Sequence, residues 1–147
     1  MLKRIIKTPP QTTTIIIRLM VGAVFLSEGI QKFLYPDKLG AGRFEKIGFP
    51  EPEFLGYLVG SFEIGCGLLV LLGFLTRLAT IPLLAIMLVA IATTKAKLIA
   101  EDGLWLMLHE SRTDWSMLLG SVFLLITGGG KWSIDRSIWK KQQNNET

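Results

Sequence analysis

The feature that most constrains this chain is the recurrence of apolar runs long enough to cross a lipid bilayer. A spanning helix needs about 20 mostly apolar residues. Half of the 147 residues are hydrophobic and only 19% are charged, whereas a soluble domain of this length usually carries more charge. The runs that we assign as spans are residues 14–34, 54–75, 81–94 and 114–127. The sequence therefore predicts an all-α integral membrane four-helix bundle, formed by a single domain over residues 1–147.

The second and third spans are predicted to be antiparallel neighbours joined by a tight turn at Thr76–Thr80. Pro82 is placed at the start of the third helix, where a missing backbone N–H is tolerated. The third and fourth runs are short and must borrow flanking residues to span. The longer connections, 35–53 and 95–113, carry most of the polar residues.

Basic residues indicate the orientation in the membrane, because Lys and Arg are enriched in cytoplasmic loops. They are slightly more numerous on the side that holds both termini than on the other side. The first set is Lys3, Arg4, Lys7, Arg77, Lys131, Arg136, Lys140 and Lys141, and the second is Lys38, Arg43, Lys46, Lys95, Lys97 and Arg112. The sequence predicts a multi-pass protein of the bacterial cytoplasmic membrane with both termini inside.

A short interfacial helix is predicted after the fourth span. The glycines at 128–130 end the span, and Ser133 can cap the helix that follows. Its apolar residues would face lipid and its basic residues would face headgroups. The apolar set is Trp132, Ile134, Ile138 and Trp139, and the basic set is Lys131, Arg136, Lys140 and Lys141.

Composition excludes several functional classes. Cys66 is the only cysteine, so the chain has no internal disulfide, CxxC pair or tetrathiolate metal site. His109 is the only histidine, which excludes haem ligation by two histidines. A metal site at His109, Glu110 and Asp114 is conceivable, but its spacing is nonspecific, and we assign none. The net charge of +4 is spread along the chain, so we expect no nucleic-acid partner.

Ionisable residues inside spans usually face the bundle interior and mark pairing or function. Arg18, Glu28 and Lys32 lie in the first span and Glu63 in the second. From the helical rise, Glu28 lies about 10 Å and Glu63 about 13 Å below the outer edge. Arg18 lies near the inner edge, where we expect it to extend towards headgroups.

Glycine stripes on both spans predict close packing that brings Glu63 towards Glu28 and Lys32. The stripes are Gly56, Gly60 and Gly67 in the second span, and Gly22 and Gly29 in the first. We expect at least one of the two glutamates to be protonated, or matched by Arg112 or by a ligand. The alternative is structural: the charges neutralise one another and hold the helix register.

The segment that precedes the fourth span supplies further candidates. Thr113 or Asp114 is expected to cap the fourth helix, since an acid there complements the helix dipole. His109 can titrate near neutral pH, and Trp105 and Trp115 can cover the mouth of a pocket. The complete set of candidate ligand-binding residues is Glu28, Gln31, Lys32, Glu63, Trp105, His109, Arg112 and Trp115. No catalytic residue is assigned.

Three groups of residues resemble the DoxX family of small four-span bacterial membrane proteins, and the resemblance covers nearly all of the chain. In the first span these are Arg18-Leu-Met-Val-Gly22 and Glu28-Gly29-x-x-Lys32. In the second they are Glu63-x-Gly65-x-Gly67 and the run from Leu72 to Arg77. The last group is Gly128-x-Gly130-x-x-Ser133-Ile134-Asp135. The resemblance implies a link to membrane redox complexes, including a thiosulfate:quinone oxidoreductase, but fold alone does not fix function.

Two functional hypotheses follow. The first is a membrane redox accessory subunit that binds a quinone or similar amphiphile in an outer-half pocket and borrows its redox centre from a soluble or membrane redox protein. The second is a non-enzymatic small transporter, or a membrane scaffold for partner proteins or lipids. A homo-oligomer is compatible with both.

Overall fold

The computed structural model describes residues 10–144, and the described part of the chain is helical and contains no strand. A five-residue π-helical turn, Ile91–Lys95, joins the fifth and sixth helices. The helices are α1 (Thr14–Leu34), α2 (Pro36–Leu39), α3 (Ala41–Ile47), α4 (Pro52–Leu72), α5 (Thr76–Ala90), α6 (Ala96–Asp102), α7 (Leu104–Glu110), α8 (Arg112–Thr127) and α9 (Ile134–Asn144).

Three helical segments among the described residues are long and apolar enough to cross a membrane. They are α1, α4 and the continuous stretch Thr76–Asp102. The predicted all-α membrane fold is thus confirmed. At 16 residues, α8 extends about 24 Å, which is less than the roughly 30 Å of a typical hydrocarbon core. The fourth crossing and the membrane orientation remain predictions.

The predicted turn at Thr76–Thr80 is wrong, because α5 already begins at Thr76. The chain reverses one turn earlier, where Gly73 adopts a left-handed conformation with φ +68°. The first amides of α5 are then satisfied from far along the chain, since the Asp135 carboxylate accepts hydrogen bonds from Leu75 N and Thr76 N at 2.8 and 3.0 Å. Pro82 consequently lies inside α5 rather than at its start. At this interior position it removes one helical hydrogen bond.

Close packing of α1 on α4 is confirmed, and glycine makes it possible. A Cβ atom at Gly29 would lie 2.8 Å from Gly60 O, and one at Gly67 would lie 2.9 Å from Leu26 N. Gly22 faces Gly67 while Gly29 faces Gly60, so the two helices run antiparallel. Small residues that let backbones approach in this way are typical of membrane helix interfaces.

The buried core lies where α1, α4, α5 and α8 meet. Its central side chains are almost inaccessible: Val21, Phe25, Val70, Leu83 and Leu124. Many large apolar side chains instead point outwards, such as Ile16, Leu88 and Ile126, which are 64%, 56% and 69% exposed. A soluble protein would bury more of these groups, so this outer surface fits contact with lipid.

Candidate functional site

A buried ion pair joins the first two spanning helices. Lys32 Nζ lies 2.6 Å from Glu63 Oε2, and the two side chains are only 8% and 5% exposed. Gly60 makes room for the pair, because a Cβ atom there would come within 3.4 Å of Lys32 Cβ. Glu63 itself lies on the buried face of α4, between Gly60 and Gly67. The glycine spacing therefore places the carboxylate in the seam between the helices.

Glu28 links this buried pair to the surface of the bundle. It precedes Lys32 by one helical turn, its carboxylate lies 4.0 Å from Lys32 Nζ, and its side chain is 43% exposed. The three residues thus form a short row from the surface to the interior: exposed Glu28, central Lys32 and buried Glu63. The structure brings together these three candidates, as the two glycine stripes suggest.

The second cation near Glu63 is Arg43, which sequence reasoning missed. The charged groups that act on the Glu63 carboxylate are Lys32, Glu28 and Arg43. Arg43 lies on α3, which packs against α4 where Gly56 would place a Cβ atom only 2.8 Å from Ala41 N. The sequence feature that could have indicated this contact is Gly56, because a glycine at the start of α4 lets α3 approach closely. Arg43 therefore adds a second positive charge to the surroundings of Glu63.

Arg112, the cation expected to match this site, points elsewhere. Its guanidinium lies on the exposed side of α8 with Nη1 2.7 Å from His109 Nε2. Trp105 is 83% exposed and Trp115 is 40% exposed. Helix α7, which carries Trp105 and His109, packs chiefly against α6 and the start of α8. A ligand-covering role for these four residues stays a prediction.

The cap expected from Thr113 or Asp114 is wrong, because Ser111 occupies the N-cap position of α8. Asp114 lies in the first helical turn and pairs with Lys95, whose Nζ is 3.1 Å from Asp114 Oδ2. The same ammonium group donates to Glu110 O. Lys95 lies at the end of the π-helical turn, so the third spanning segment is tied to α8 by this pair.

Gln31, the remaining candidate, lines a groove on the outward face of α1. The groove is shallow and open, has a volume of about 590 Å³ and is mostly apolar, with walls formed by Ala23, Leu26, Ser27, Ile30, Gln31, Leu34, Tyr35 and Leu71. Gln31 Nε2 donates to Ser27 Oγ at 2.9 Å, which leaves the amide oxygen open for a further hydrogen bond. Because Ser27 immediately precedes Glu28, the groove runs beside the exposed end of the charged row.

At the opposite end of α1, the expected extension of Arg18 towards headgroups is wrong. The side chain is 3% exposed, and its guanidinium donates to Val70 O at 3.0 Å and to Gly129 O at 3.1 Å. It also donates to the carbonyl oxygens of Leu71 and Trp132. Arg18 therefore satisfies carbonyls at the end of α4 and in the loop before α9, which a snorkelling side chain would leave open.

Asp135 completes the polar cluster around Arg18, and sequence reasoning also missed it. The residue is 1% exposed, and its carboxylate accepts from the Thr76 hydroxyl at 3.0 Å in addition to the two amides at the start of α5. Ser133 caps α9 as predicted, since its Oγ accepts from Arg136 N at 3.2 Å. The residues from Ser133 to Asp135 indicated the start of a helix. Nothing in this pattern indicated that Asp135 caps α5 rather than α9.

Within residues 10–144, no group of three or more His, Cys, Asp or Glu side chains is arranged to hold a metal ion. The arrangement instead consists of apolar helices, a buried Lys–Glu pair at one end of the α1–α4 interface and a buried Arg–Asp cluster at the other. These features define a small multi-helix membrane protein with charges built into its interior.

The chain belongs to the DoxX family, whose model matches residues 13–96, more than half of its length. It is 55% identical to "Uncharacterized membrane protein Rv3486" of Mycobacterium tuberculosis over 139 residues, which cover 90% of this chain and 84% of that protein. It is 27% identical to "Putative oxidoreductase CatD" of Bacillus subtilis over 131 residues, which cover 89% of this chain and 90% of that protein. No solved structure was found to match the chain.

Proposed function

We propose that this DoxX-family protein is an accessory subunit of a membrane redox system and that it binds a quinone or similar amphiphile beside Glu28, Lys32 and Glu63. The observation that carries the proposal is the Lys32–Glu63 pair, held at 2.6 Å inside the bundle. Charges at such positions are unfavourable in a membrane and usually mark function. The similarity to a protein named as an oxidoreductase supports a redox setting.

The ligand would enter laterally, with its head near Glu28 and its tail in the groove on α1. Gln31 offers an amide beside the half-exposed Glu28 carboxylate. The apolar groove walls, including Leu26 and Ile30, suit a hydrocarbon chain. This combination of a mostly apolar site and a few polar groups is typical of sites for small amphiphiles.

The residues of this chain would bind the head and handle protons, while the redox centre comes from elsewhere. One cysteine and one histidine provide neither a dithiol nor paired haem ligands. A bound quinone supplies two-electron chemistry that is coupled to protons. Glu28 would hold or release a proton at its exposed carboxylate. Lys32 would stabilise the negative charge of that carboxylate after the proton has left.

The wider assignment includes the lipid bilayer and a soluble or membrane redox partner. We propose the bacterial cytoplasmic membrane as its location, with both termini in the cytoplasm and α8 as the fourth crossing. His109, Arg112, Trp105 and Trp115 would cover the ligand from outside. The basis for this last role is their position in the predicted outer connection.

A non-enzymatic scaffold or transporter is the second candidate, and one observation favours it. Lys32 pairs with Glu63 at 2.6 Å and lies 4.0 Å from the Glu28 carboxylate, so the charges can hold the helix register without any ligand. Under this alternative, neutralising Glu28 changes neither ligand content nor cellular phenotype.

Native mass spectrometry of protein extracted in mild detergent tests the proposal. Glu28→Gln is the informative variant, because Glu28 is half-exposed and the buried pair remains intact. The matched control is Glu101→Gln, which changes an exposed carboxylate on α6. We expect the wild type and the control to retain an amphiphile and Glu28→Gln to lose most of it. Equal retention by all three proteins, or no retained amphiphile in any of them, would contradict the proposal.

A further inference from the structure

The end of the bundle that carries α9 presents a positively charged surface. Lys131, Lys140 and Lys141 are exposed, and their side chains make no ion pair with any other residue between 10 and 144. Asp135 is the only acid in the sequence from 128 to 144. It is 1% exposed and bonded to Thr76, so no acid within residues 128–144 neutralises the three lysines.

Exposed apolar groups lie in the same segment as these lysines, next to Lys131 in the sequence. Trp132 is 63% exposed and Ile134 is 40% exposed. Tryptophan is enriched where a protein meets the membrane–water interface, and basic residues beside apolar ones are characteristic of surfaces that bind anionic membranes. An acidic soluble protein would match the lysines alone, whereas a membrane surface matches both the lysines and the apolar residues.

The surface is held in a fixed position on the bundle. Asp135 bonds the first turn of α9 to the start of α5, and the Trp132 carbonyl accepts from the Arg18 guanidinium. Asp135 N also donates to Gly73 O at 3.0 Å. Lys131 adjoins these contacts, and Lys140 and Lys141 lie on the helix that they anchor, so the folded bundle presents all three lysines.

From the charge, the exposed apolar groups and this fixed placement, we infer that the α9 end of the bundle binds anionic phospholipid headgroups. The Lys131, Lys140 and Lys141 ammonium groups pair with lipid phosphates, and Trp132 lies among the headgroups. This binding surface is separate from the site at Glu28, and its existence does not depend on the proposed redox role.

Lipid retention measured on the full chain tests this inference. The protein is reconstituted into nanodiscs that contain phosphatidylcholine and phosphatidylglycerol, and the lipids released with it into the gas phase are counted by native mass spectrometry. We compare wild type with Lys140→Gln/Lys141→Gln. The matched control is Lys38→Gln/Lys46→Gln, which removes two exposed lysines from α2 and α3.

The wild type and the control are expected to retain phosphatidylglycerol in preference to phosphatidylcholine. Each lysine near an anionic surface contributes about a five-fold preference, so the α9 double variant should lose more than ten-fold of the selectivity. Equal retention of the two lipids by wild type would overturn the inference. So would the same loss in both double variants, since that result reports total charge rather than the α9 surface. Selective binding of an acidic protein without lipid selectivity would assign the surface to the other class of partner.

Discussion

Removing one member of the Lys32–Glu63 pair should destabilise the bundle far more than removing both. Lys32→Met leaves the Glu63 carboxylate, which is 5% exposed, without its nearest cation. Breaking a buried pair in this way costs about 3–5 kcal/mol. Replacing both members with apolar residues of similar volume is often neutral or stabilising, so Lys32→Met/Glu63→Met should be more stable than either single variant.

A double-mutant cycle measures this coupling. Each protein is unfolded by increasing the mole fraction of sodium dodecyl sulfate in mixed micelles, and helix content is followed by far-ultraviolet circular dichroism. We expect a coupling free energy of about 3 kcal/mol for Lys32 with Glu63. A second cycle between Lys32 and Glu28 serves as the control. Glu28 is 4.0 Å away and 43% exposed, so that coupling should stay below about 1 kcal/mol.

Additive effects of the two single substitutions would refute this reasoning. Additivity would mean that the Lys32 ammonium and the Glu63 carboxylate do not interact in the folded protein, although both are buried at the α1–α4 interface. A large coupling in the Lys32–Glu28 cycle with none in the Lys32–Glu63 cycle would place the ion pair on α1 alone.

Three further experiments test the packing, the topology and the polar cluster of Arg18 and Asp135. Gly29→Ala should destabilise the bundle by about 1–3 kcal/mol, because its Cβ atom would lie 2.8 Å from a backbone oxygen of α4. The control is Gly65→Ala, whose Cβ atom meets nothing within 4 Å. Equal effects of the two substitutions in an unfolding titration would contradict the packing. Cysteines introduced separately at Lys38 and Gln143, in a background without the native cysteine, should be labelled from opposite sides of the membrane, and labelling from the same side would exclude four spans. Arg18→Met removes hydrogen bonds to four carbonyl groups and should lower the unfolding free energy by about 3 kcal/mol or more. An unchanged unfolding free energy would show that these hydrogen bonds do not stabilise the bundle.

Residue type and helical spacing were sufficient to predict the all-α membrane fold and the meeting of three charged residues. Helix α1 has the predicted bounds because its mean hydropathy stays high over one membrane thickness, although it contains three charged residues. The glycines at positions 29 and 60 predicted the close approach of α1 and α4. Helical periodicity places each of them on the glycine-lined face of its own helix. Local patterns of this kind carry the information for helix interfaces.

Contacts between residues far apart in sequence were not predictable in the same way. Pro82 was misplaced because the cap that starts α5 belongs to Asp135, which lies 59 positions after Thr76. Arg18 was expected to reach headgroups because its depth can be read from the sequence, whereas the carbonyls that it binds belong to the end of α4 and to the loop before α9. Arg43 was overlooked for the same reason, since its charge acts on Glu63 only because α3 docks against α4.

Ligand retention by the apolar double variant Lys32→Met/Glu63→Met tests the central claim most directly. This protein should keep the fold while it loses both charges of the Lys32–Glu63 pair. The effect on ligand binding is then separated from the effect on stability. Native mass spectrometry after mild detergent extraction, with helix content checked on the same sample, provides the measurement. We predict that the wild type retains an amphiphile and that the folded double variant does not. A folded double variant that retains the same amphiphile to the same extent would show that the buried pair holds the helices together and has no part in binding.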